Sequence, residues 1–464
     1  MSDIDAVNAR LEADFDAALA RWADFLRIPS VSTDPAHDGE TRKAALWARD
    51  QLREIGFDAD LHDTQGQPMV VGHHPGATEG APHVLYYGHY DVQPPDPLDE
   101  WETGPFEPTL RDGPHGRRMV ARGAVDDKGQ VMTFLEALRA WKAVHGSLPV
   151  GVTVFLEGEE ESGSPSLVPF LKAHGEVLKA DVCVVSDTGM WDVDTPALTT
   201  QLRGLLYTEL TVHGPAMDLH SGLYGGLAPN PLNVLMQVLG GLHDDTGRIA
   251  IPGFYDAVID PDAETLAQWR ALGANPDAAI ADIGAAGAVG EQDRDMLEKL
   301  WSRPTADING AIGGYTGHGA KTVIPARASA KISFRLVPDQ DPESVGEAFR
   351  RFVAARMPDS VTWDLDVHKG APAMRVATDS PYLAAARAAL TEVYGREAVL
   401  IGSGGSIPVV ELFKRHLGLD TLLMGFSLDD DGMHSPNEKF ELTCLERGAK
   451  AHVALLDRLR RLSG

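Results

Sequence analysis

The sequence is poor in cysteine and in positive charge, and it has no long apolar run. Its two cysteines, Cys183 and Cys444, cannot build a disulfide framework, which indicates a reducing cytoplasm. Lys plus Arg is 41 against 68 for Asp plus Glu, and the net charge of -27 argues against nucleic acid or a membrane as a partner. The N-terminus does not read as a signal peptide, and no segment approaches the length of a membrane span.

Strands and helices alternate through the first part of the chain. Apolar residues recur every three or four positions from Ile4 to Leu26, which predicts one amphipathic helix. Another helix is expected from about Asp127 to His145, closed by Gly146. Segments such as "HVLYYGHYDV" and "VGVTVFLE" are apolar almost throughout, as in strands covered on both faces. The predicted fold class is therefore α/β, with a doubly wound, mostly parallel sheet.

The pattern changes after Asp187. "LLYTELTVHG" and "ARASAKISFRLV" alternate like half-exposed strands and bracket a Gly- and Ala-rich region, about Gly240 to Ser302, that we expect to be helical. From about Ser380 the earlier pattern returns. The predicted organisation is an α/β domain formed by residues 1–203 and 375–464, interrupted by an inserted α+β domain at residues 204–374.

Polar residues that can bind metals follow several of the predicted strands. They are His89 and Asp91, the acidic run Glu157 to Glu161, Asp187 and His434, with Asp126 and Asp127 before a helix. Alone, each is more often an N-cap, a surface residue or a solvated turn. Together, clustered carboxylates repel one another and raise their own pKa values unless cations neutralise them. Two histidines with three or more carboxylates suit a pair of divalent ions such as Zn²⁺ or Mn²⁺.

An ordered set of motifs resembles the M20 metallopeptidases, particularly the cytosolic dipeptidase and carnosinase-like branch. The motifs run from about residue 86 to 440: "GHYDVQP", "ARGAVDDKG", "EGEEESGS", "VVSDTG", "DLHSGLYGG", "KTVIPA", "SFRLVP", "GGSIPV" and "HSPNEKF". The resemblance implies that the α/β domain is catalytic and that the inserted domain is a lid that also forms a homodimer.

The same resemblance implies the metal ligands and the catalytic groups. The implied ligands are His89, Asp126, Glu161, Asp187 and His434, with Asp126 bridging two ions and the Asp126–Asp127 peptide in the cis form. The implied catalytic residues are Glu160 as general base, Asp91 as the carboxylate that orients His89, and His220, from the partner subunit, as a donor to the oxyanion.

For the substrate, the resemblance implies contacts with Arg335, Gly405, Ser406, Thr322 and His368. Arg335 would grip a terminal carboxylate with two hydrogen bonds, although a strand residue at a sheet rim is an equally good reading of its position. In one place the chain departs from the dipeptidase pattern. Gly402 and Ser403 precede "GGSIP" where an Arg-Glu pair is usual, which leaves the choice of substrate open.

The expected activity is metal-dependent hydrolysis of the peptide bond of dipeptides or short peptides. Two ions about 3.5 to 4 Å apart would hold a water between them and lower its pKa from 15.7 towards 7, and Glu160 would take its proton. Zn²⁺ is the first choice of metal and Mn²⁺ the second. The alternative is an amidohydrolase that removes the acyl group from an N-acyl amino acid with the same metals and base.

Other classes of enzyme and of binding protein fit the sequence less well. "GYTGHGAKT" fails as a P-loop because Ala320 separates Gly319 from Lys321 and a strand pattern follows. The sequence contains neither the G-x-S-x-G of a nucleophile elbow nor the H-E-x-x-H of a zincin. A binding protein that kept the metal positions without catalysis would not need Glu160, so its presence favours an enzyme.

Overall fold

The computed structural model describes residues 3–405 and 407–462 and divides the chain into two compact units. The first comprises Met1–Thr200, Val376–Ile401 and Leu412–Gly464, and the second comprises Gln201–Arg375 and Gly402–Glu411. Sequence patterns assign Gly402–Glu411 to the first domain. This segment groups with the second unit because Arg203 binds it: its backbone N–H donates to Gly405 O and its Nε donates to Gly404 O, both at 3.1 Å.

The strands of the described residues are β1 Asp58–His62, β2 Met69–His74, β3 Val84–His89, β4 Thr109–Gly113, β5 Gly116–Val120, β6 Val152–Glu157, β7 Val182–Val185, β8 Ala197–Leu202, β9 Gly204–His213, β10 Leu219–His220, β11 Thr305–Gly313, β12 Val323–Ile324, β13 Arg327–Leu336, β14 Thr362–Val367, β15 Met374–Arg375, β16 Val399–Ser403, β17 Thr421–Leu423 and β18 Lys439–Glu441. The α-helices are α1 Asp3–Ala13, α2 Phe15–Leu26, α3 Asp38–Ile55, α4 Lys128–His145, α5 Leu167–His174, α6 Ser221–Tyr224, α7 Pro231–Leu239, α8 Ala263–Ala271, α9 Pro276–Asp282, α10 Pro342–Ala354, α11 Pro381–Tyr394, α12 Pro408–Leu417 and α13 Leu442–Arg460.

The first unit is built on a sheet of order β1-β2-β6-β3-β7-β17-β8. Its centre is parallel, with β3 between β6 and β7 and β17 beyond β7, and its flanking strands pair antiparallel. The predicted α/β class with a mostly parallel sheet is confirmed. The antiparallel edges leave no signal in the sequence, because strand direction depends on the connections rather than on apolar patterning.

Helix α4 is largely buried. It begins after Asp127, whose backbone is not helical, and ends at Gly146, which adopts the left-handed conformation at φ 72° that glycine accepts most readily. It packs against α1 and α13. The single helix expected from Ile4 to Leu26 is instead two, because the backbone at Asp14 leaves the helical region (φ -97°, ψ 4°).

The second unit contains an antiparallel sheet of order β11-β13-β9-β14. Residues of β9 and β13 alternate between buried and half-buried positions, as their sequences predict, and the buried set forms a core with residues of α7 and α10. The expectation of a helical region between Gly240 and Ser302 is largely wrong. Only α8, α9 and one π-helical turn, Glu298–Ser302, form there, because glycines and prolines interrupt the chain.

Both cysteines are buried free thiols. None of the helices in the described part of the chain has the length and apolarity to cross a membrane.

His452 of α13 is fully buried behind the central strands. Its ring meets those of Tyr86, Phe134 and Phe426 edge to face, with centroids 6.1, 5.0 and 5.4 Å away, and its Nε2 lies 3.2 Å from the hydroxyl of Ser186. Burial lowers the pKa of His452 from 6.5 to about 3. The folded protein therefore holds this imidazole neutral.

We predict that His452 makes the protein sensitive to acid. Between about pH 6.5 and pH 3 the unfolded chain binds a proton at His452 that the folded chain does not, so the free energy of unfolding falls as pH falls. The loss is at most about 1.4 kcal/mol per pH unit. Chemical denaturation of chelator-treated protein should show a weaker pH dependence in His452→Gln than in wild type. His115→Gln, at an exposed position, should follow wild type. An unchanged pH dependence in His452→Gln would contradict the prediction.

Candidate metal centre

The carboxyl ends of four neighbouring parallel strands deliver polar residues to one place. His89 ends β3, the turn Glu160–Ser162 follows β6, Asp187 lies two residues after β7, and the loop with His434 follows β17. Such an edge is where parallel sheets concentrate functional groups. The strand order explains why residues so distant in the sequence meet.

One group of possible ligands consists of His89, Asp126 and Asp187. His89 Nε2 lies 3.1 Å from Asp126 Oδ1 and 3.9 Å from Asp187 Oδ2. The His89 ring is fully buried, and its Nε2 has no hydrogen-bond partner among the residues that the structure describes. Its Nδ1 lies 3.1 Å from the carbonyl oxygen of Asp91 and so serves as the donor. That tautomer leaves the Nε2 lone pair for a cation.

A second group consists of Asp126, Glu161 and His434. His434 Nε2 lies 2.9 Å from Asp126 Oδ2 and 3.3 Å from Glu161 Oε2. Asp126 thus belongs to both groups, with Oδ1 towards His89 and Oδ2 towards His434. The peptide between Asp126 and Asp127 is cis. All five residues expected as ligands therefore lie together, in two groups that share one carboxylate.

The electrostatics of the two groups favour a cation. Burial, the largest cause, raises the pKa of Glu160 to about 9 and that of Asp187 to about 7. Burial acts the same way on Asp126, but the hydrogen bond with His434 and the charge of the nearby His89 imidazole hold its pKa below the usual range. The same bond with Asp126 is the largest cause that raises the pKa of His434 to about 10. An orphaned imidazole nitrogen among buried carboxylates fits a divalent ion with nitrogen and oxygen ligands.

Asp91 connects the first group to the acidic turn. Its side chain is fully buried and accepts hydrogen bonds from the backbone N–H of Glu161 at 3.0 Å, from that of Glu160 at 3.3 Å and from the Ser32 hydroxyl at 2.6 Å. Gln93 donates from Nε2 to Glu161 Oε2 at 2.7 Å. The turn is therefore fixed beside His89, and the charges of Asp187 and Glu161, one from each group, act on the Glu160 carboxyl.

The remaining glutamates of the acidic run bind other parts of the protein. Glu157 Oε1 accepts from the Tyr87 hydroxyl at 2.5 Å, while Glu159 accepts from the backbone N–H groups of Gln67 and Ser166, both at 3.1 Å. Glu159 thus links the loop that contains Gln67 to the segment that contains Ser166 by hydrogen bonds.

Two buried polar residues near the ligands were missed in the sequence. Gln130 donates from Nε2 to Thr188 O at 3.1 Å and accepts at Oε1 from the Phe426 N–H at 2.7 Å, which ties the segment after Asp187 to the segment after β17. Glu438 binds the loop that carries Asp126. Glu438 lies within the quoted motif "HSPNEKF", and Gln130 directly follows the quoted motif "ARGAVDDKG".

The residues expected to contact substrate belong to the second unit, except that Ser406 lies outside the described residues. His220 pairs with Val323 in the β10–β12 ladder, and the N–H of the next residue, Ser221, donates to Thr322 O at 3.1 Å. The imidazole of His220 is exposed, and its Nδ1 accepts from the Gly222 N–H at 3.0 Å. A proton on Nε2 then makes this ring a donor towards a ligand.

Arg335 has a cationic neighbour that the sequence reading missed. Burial first, and then the charge of Arg335, lower the pKa of Arg203 to about 10. Arg203 also binds the Gly404–Gly405 segment. His368 lies on the other side of β9, where its N–H donates to Tyr207 O at 2.9 Å and its ring lies edge to face on that of Tyr207. The structure therefore brings Arg335, Arg203 and the glycine pair together.

Comparisons with known proteins identify the family of this chain. Residues 85–458 match the model of peptidase family M20/M25/M40. The Cys-Gly metallodipeptidase DUG1 of Saccharomyces cerevisiae is 32% identical over 94% of this chain and 94% of its own, and the human Beta-Ala-His dipeptidase is 31% identical over 95% of this chain and 89% of its own.

Solved structures agree as well. Dug1p of Saccharomyces cerevisiae superposes with a TM-score of 0.82 at 29% identity over 99% of both chains. The M20 family metallo-carboxypeptidase Sso-CP2 of Sulfolobus solfataricus superposes with a TM-score of 0.84 at 30% identity over 96% of this chain and 99% of its own. The chain is a metallopeptidase that belongs to peptidase family M20/M25/M40.

Proposed function

We propose that this protein hydrolyses dipeptides or short peptides with two divalent metal ions. The observation that carries the proposal is the sharing of Asp126 by two ligand groups, one with His89 and Asp187 and one with Glu161 and His434. The relatives named as Cys-Gly and Beta-Ala-His dipeptidases support a dipeptide as the substrate.

The donor set supports zinc first and manganese second, because imidazole nitrogen and carboxylate oxygen suit both. When bound, such ions polarise the scissile carbonyl and lower the pKa of water towards neutrality.

Glu160 is proposed as the general base. Its backbone is fixed by Asp91, and its carboxylate is near His89, Asp187 and Glu161 without a hydrogen-bond partner of its own among the interactions of the described residues. It would take the proton of the attacking water and pass it to the leaving amine. Asp91 would hold both the imidazole of His89 and the turn that carries Glu160.

The second unit offers groups for the rest of the substrate. Arg335 and Arg203 present two guanidinium groups beside Gly405, which supports capture of a carboxylate by paired hydrogen bonds. Ser406, Thr322 and His368 are proposed as further substrate contacts. The Nε2 of His220 is proposed as the donor to the oxyanion.

We further propose a cytoplasmic homodimer in which the second unit forms the interface. Strand β11 is at the edge of its sheet and exposes Ile308 and Ile312, with 49% and 64% of their surface accessible. Leu223 and Leu227, which follow His220 in the chain, are 76% and 83% exposed. Apolar side chains at this level of exposure, together with an unpaired strand edge, support burial against a second copy.

A substrate panel tests the proposed activity. Purified protein with added Zn²⁺ or Mn²⁺ should cleave dipeptides faster than matched N-acyl amino acids, because the relatives at 32% and 31% identity are named as dipeptidases. Both kinds of substrate carry the carboxylate that the two arginines would bind, so the comparison isolates the amino-terminal part of the substrate. Including tripeptides separates dipeptidase from carboxypeptidase activity. Faster turnover of N-acyl amino acids would replace the proposal with the amidohydrolase alternative.

We predict that Glu160→Gln lowers turnover by about 10² to 10⁴-fold, because an amide cannot accept the proton. Metal content, measured by elemental analysis, should stay at the wild-type level. The control is Glu176→Gln, whose side chain is 83% exposed and which should turn over substrate nearly as wild type does. Normal turnover in Glu160→Gln would remove this residue from the mechanism.

Mixed dimers test the origin of His220. His220→Ala and Glu160→Gln homodimers should both be weakly active. If His220 acts on the partner's site, an equal mixture after subunit exchange should recover about a quarter of wild-type activity, since half the dimers are mixed and each has one intact site. No recovery, in mixtures shown to contain mixed dimers, would refute the arrangement.

A further inference from the structure

Glu438 is a fully buried carboxylate whose two oxygens accept four hydrogen bonds from one segment. Oε2 accepts from Arg122 Nη1 at 2.8 Å and from the Gly123 N–H at 2.9 Å. Oε1 accepts from the Val125 N–H at 2.9 Å and from the Asp126 N–H at 3.1 Å. One side chain thus satisfies three backbone amides in the loop that ends at the shared ligand.

Glycine at position 123 permits this loop conformation. The backbone of Gly123 is left-handed at φ 81°, and a Cβ there would lie 2.7 Å from Val92 Cγ1. The loop can therefore turn tightly enough for amides on both sides of Ala124 to point at the same carboxylate.

Glu438 is also part of the segment that carries His434. Immediately after it, Lys439 begins β18 and pairs with Val120 of β5, and the Lys439 N–H donates to Asp431 O at 2.9 Å. The carbonyl of Glu438 accepts from the Ala121 N–H at 3.0 Å. Side chain and backbone of this residue therefore both join the two segments.

Arg122 extends the connection to a third segment. Its guanidinium is buried, and while Nη1 binds Glu438, Nη2 donates to Pro94 O at 3.1 Å. Pro94 directly follows Gln93, the partner of Glu161. The Glu438–Arg122 pair thus lies where the segments of three ligands come together.

We propose that Glu438 is a positioning residue of the metal centre, which sets the placement of Asp126 relative to His434 through the three backbone amides. This inference rests on the ligand roles assigned in the proposed function. Glu438 itself touches neither substrate nor metal and acts through the loop of Asp126.

The chemistry of the contact requires a carboxylate. Four donors converge on two oxygens, and the three backbone N–H groups can act only as donors. Glutamine has one oxygen acceptor, and its NH₂ group would face N–H donors, which leaves buried donors unsatisfied. The loop would have to move away, and Asp126 would move with it.

Zinc titration of the chelator-treated protein tests the proposal. Glu438→Gln should fold, by circular dichroism, and bind zinc about 10 to 100-fold more weakly than wild type, the usual cost of losing a group that orients a ligand. The matched control is Glu291→Gln in the second unit, where Glu291 is equally buried and accepts from Arg303 Nε at 2.9 Å. It should lower the melting temperature and leave zinc affinity unchanged.

Two further variants test whether zinc affinity depends on the hydrogen bonds of Glu438 to the backbone or on its ion pair with Arg122. Arg122→Met keeps the three amide bonds of Glu438 and should bind zinc nearly as wild type does. Arg122→Met combined with Glu438→Gln leaves no buried charge unpaired, and its zinc affinity should stay as low as in Glu438→Gln. If Glu438→Gln does not fold, this double variant carries the same comparison with wild type.

Zinc affinity within twofold of wild type in folded Glu438→Gln, or recovery in the double variant, would overturn the proposal. So would a loss in Arg122→Met as large as in Glu438→Gln. Zinc binding by Asp126→Asn tests separately whether Asp126 is a metal ligand. If Asp126→Asn binds zinc normally, the ligand set itself is wrong. If it loses zinc binding while Glu438→Gln does not, only the inference about Glu438 fails.

Discussion

The structure depends on confining several carboxylates in a small volume with little water. Asp126, Glu160, Glu161 and Asp187 are at least largely buried and close enough to alter one another's pKa. Such an arrangement is costly for a protein without a compensating positive charge. Protons on the carboxyl groups and the imidazole of His434 supply part of that charge. A divalent cation in each ligand group would supply it more completely.

The fold holds these groups with buried polar side chains that bind backbone. Asp91 accepts from the turn of Glu160, Gln130 joins the segments after β7 and β17, and Glu438 accepts from three amides of the Asp126 loop. A loop held only by apolar packing could shift by an ångström at small cost, whereas a loop whose amides all end on one carboxylate cannot. This difference matters because metal ligands need fixed geometry.

Much of the first unit could be predicted from sequence because its signals are local. The apolar strand before His89 and the glycine that ends α4 follow from residues in direct succession. The expected ligands lie together because parallel strands place their carboxyl ends at one edge. The break at Asp14 and the irregular chain between Gly240 and Ser302 were missed, since apolar periodicity and helix-forming alanines continue across them.

The residues that support the site could not be found in this way. Glu438, Gln130 and Arg203 are single polar residues without periodic neighbours, and what each does depends on which backbone groups the tertiary structure brings to it. Arg203 lies two residues before Leu205, which pairs with Arg335 of β13, and only this pairing brings the two guanidinium groups together. The metal-binding side chains at the strand ends could therefore be predicted from the sequence, whereas the buried residues that hold them in place could not.

The most direct test of the central claim is anomalous X-ray scattering at the zinc edge from crystals grown with zinc. Our account predicts two peaks per chain, one among His89, Asp126 and Asp187 and one among Asp126, Glu161 and His434. Peaks confined to other parts of the surface, or no peak within either group, would contradict it.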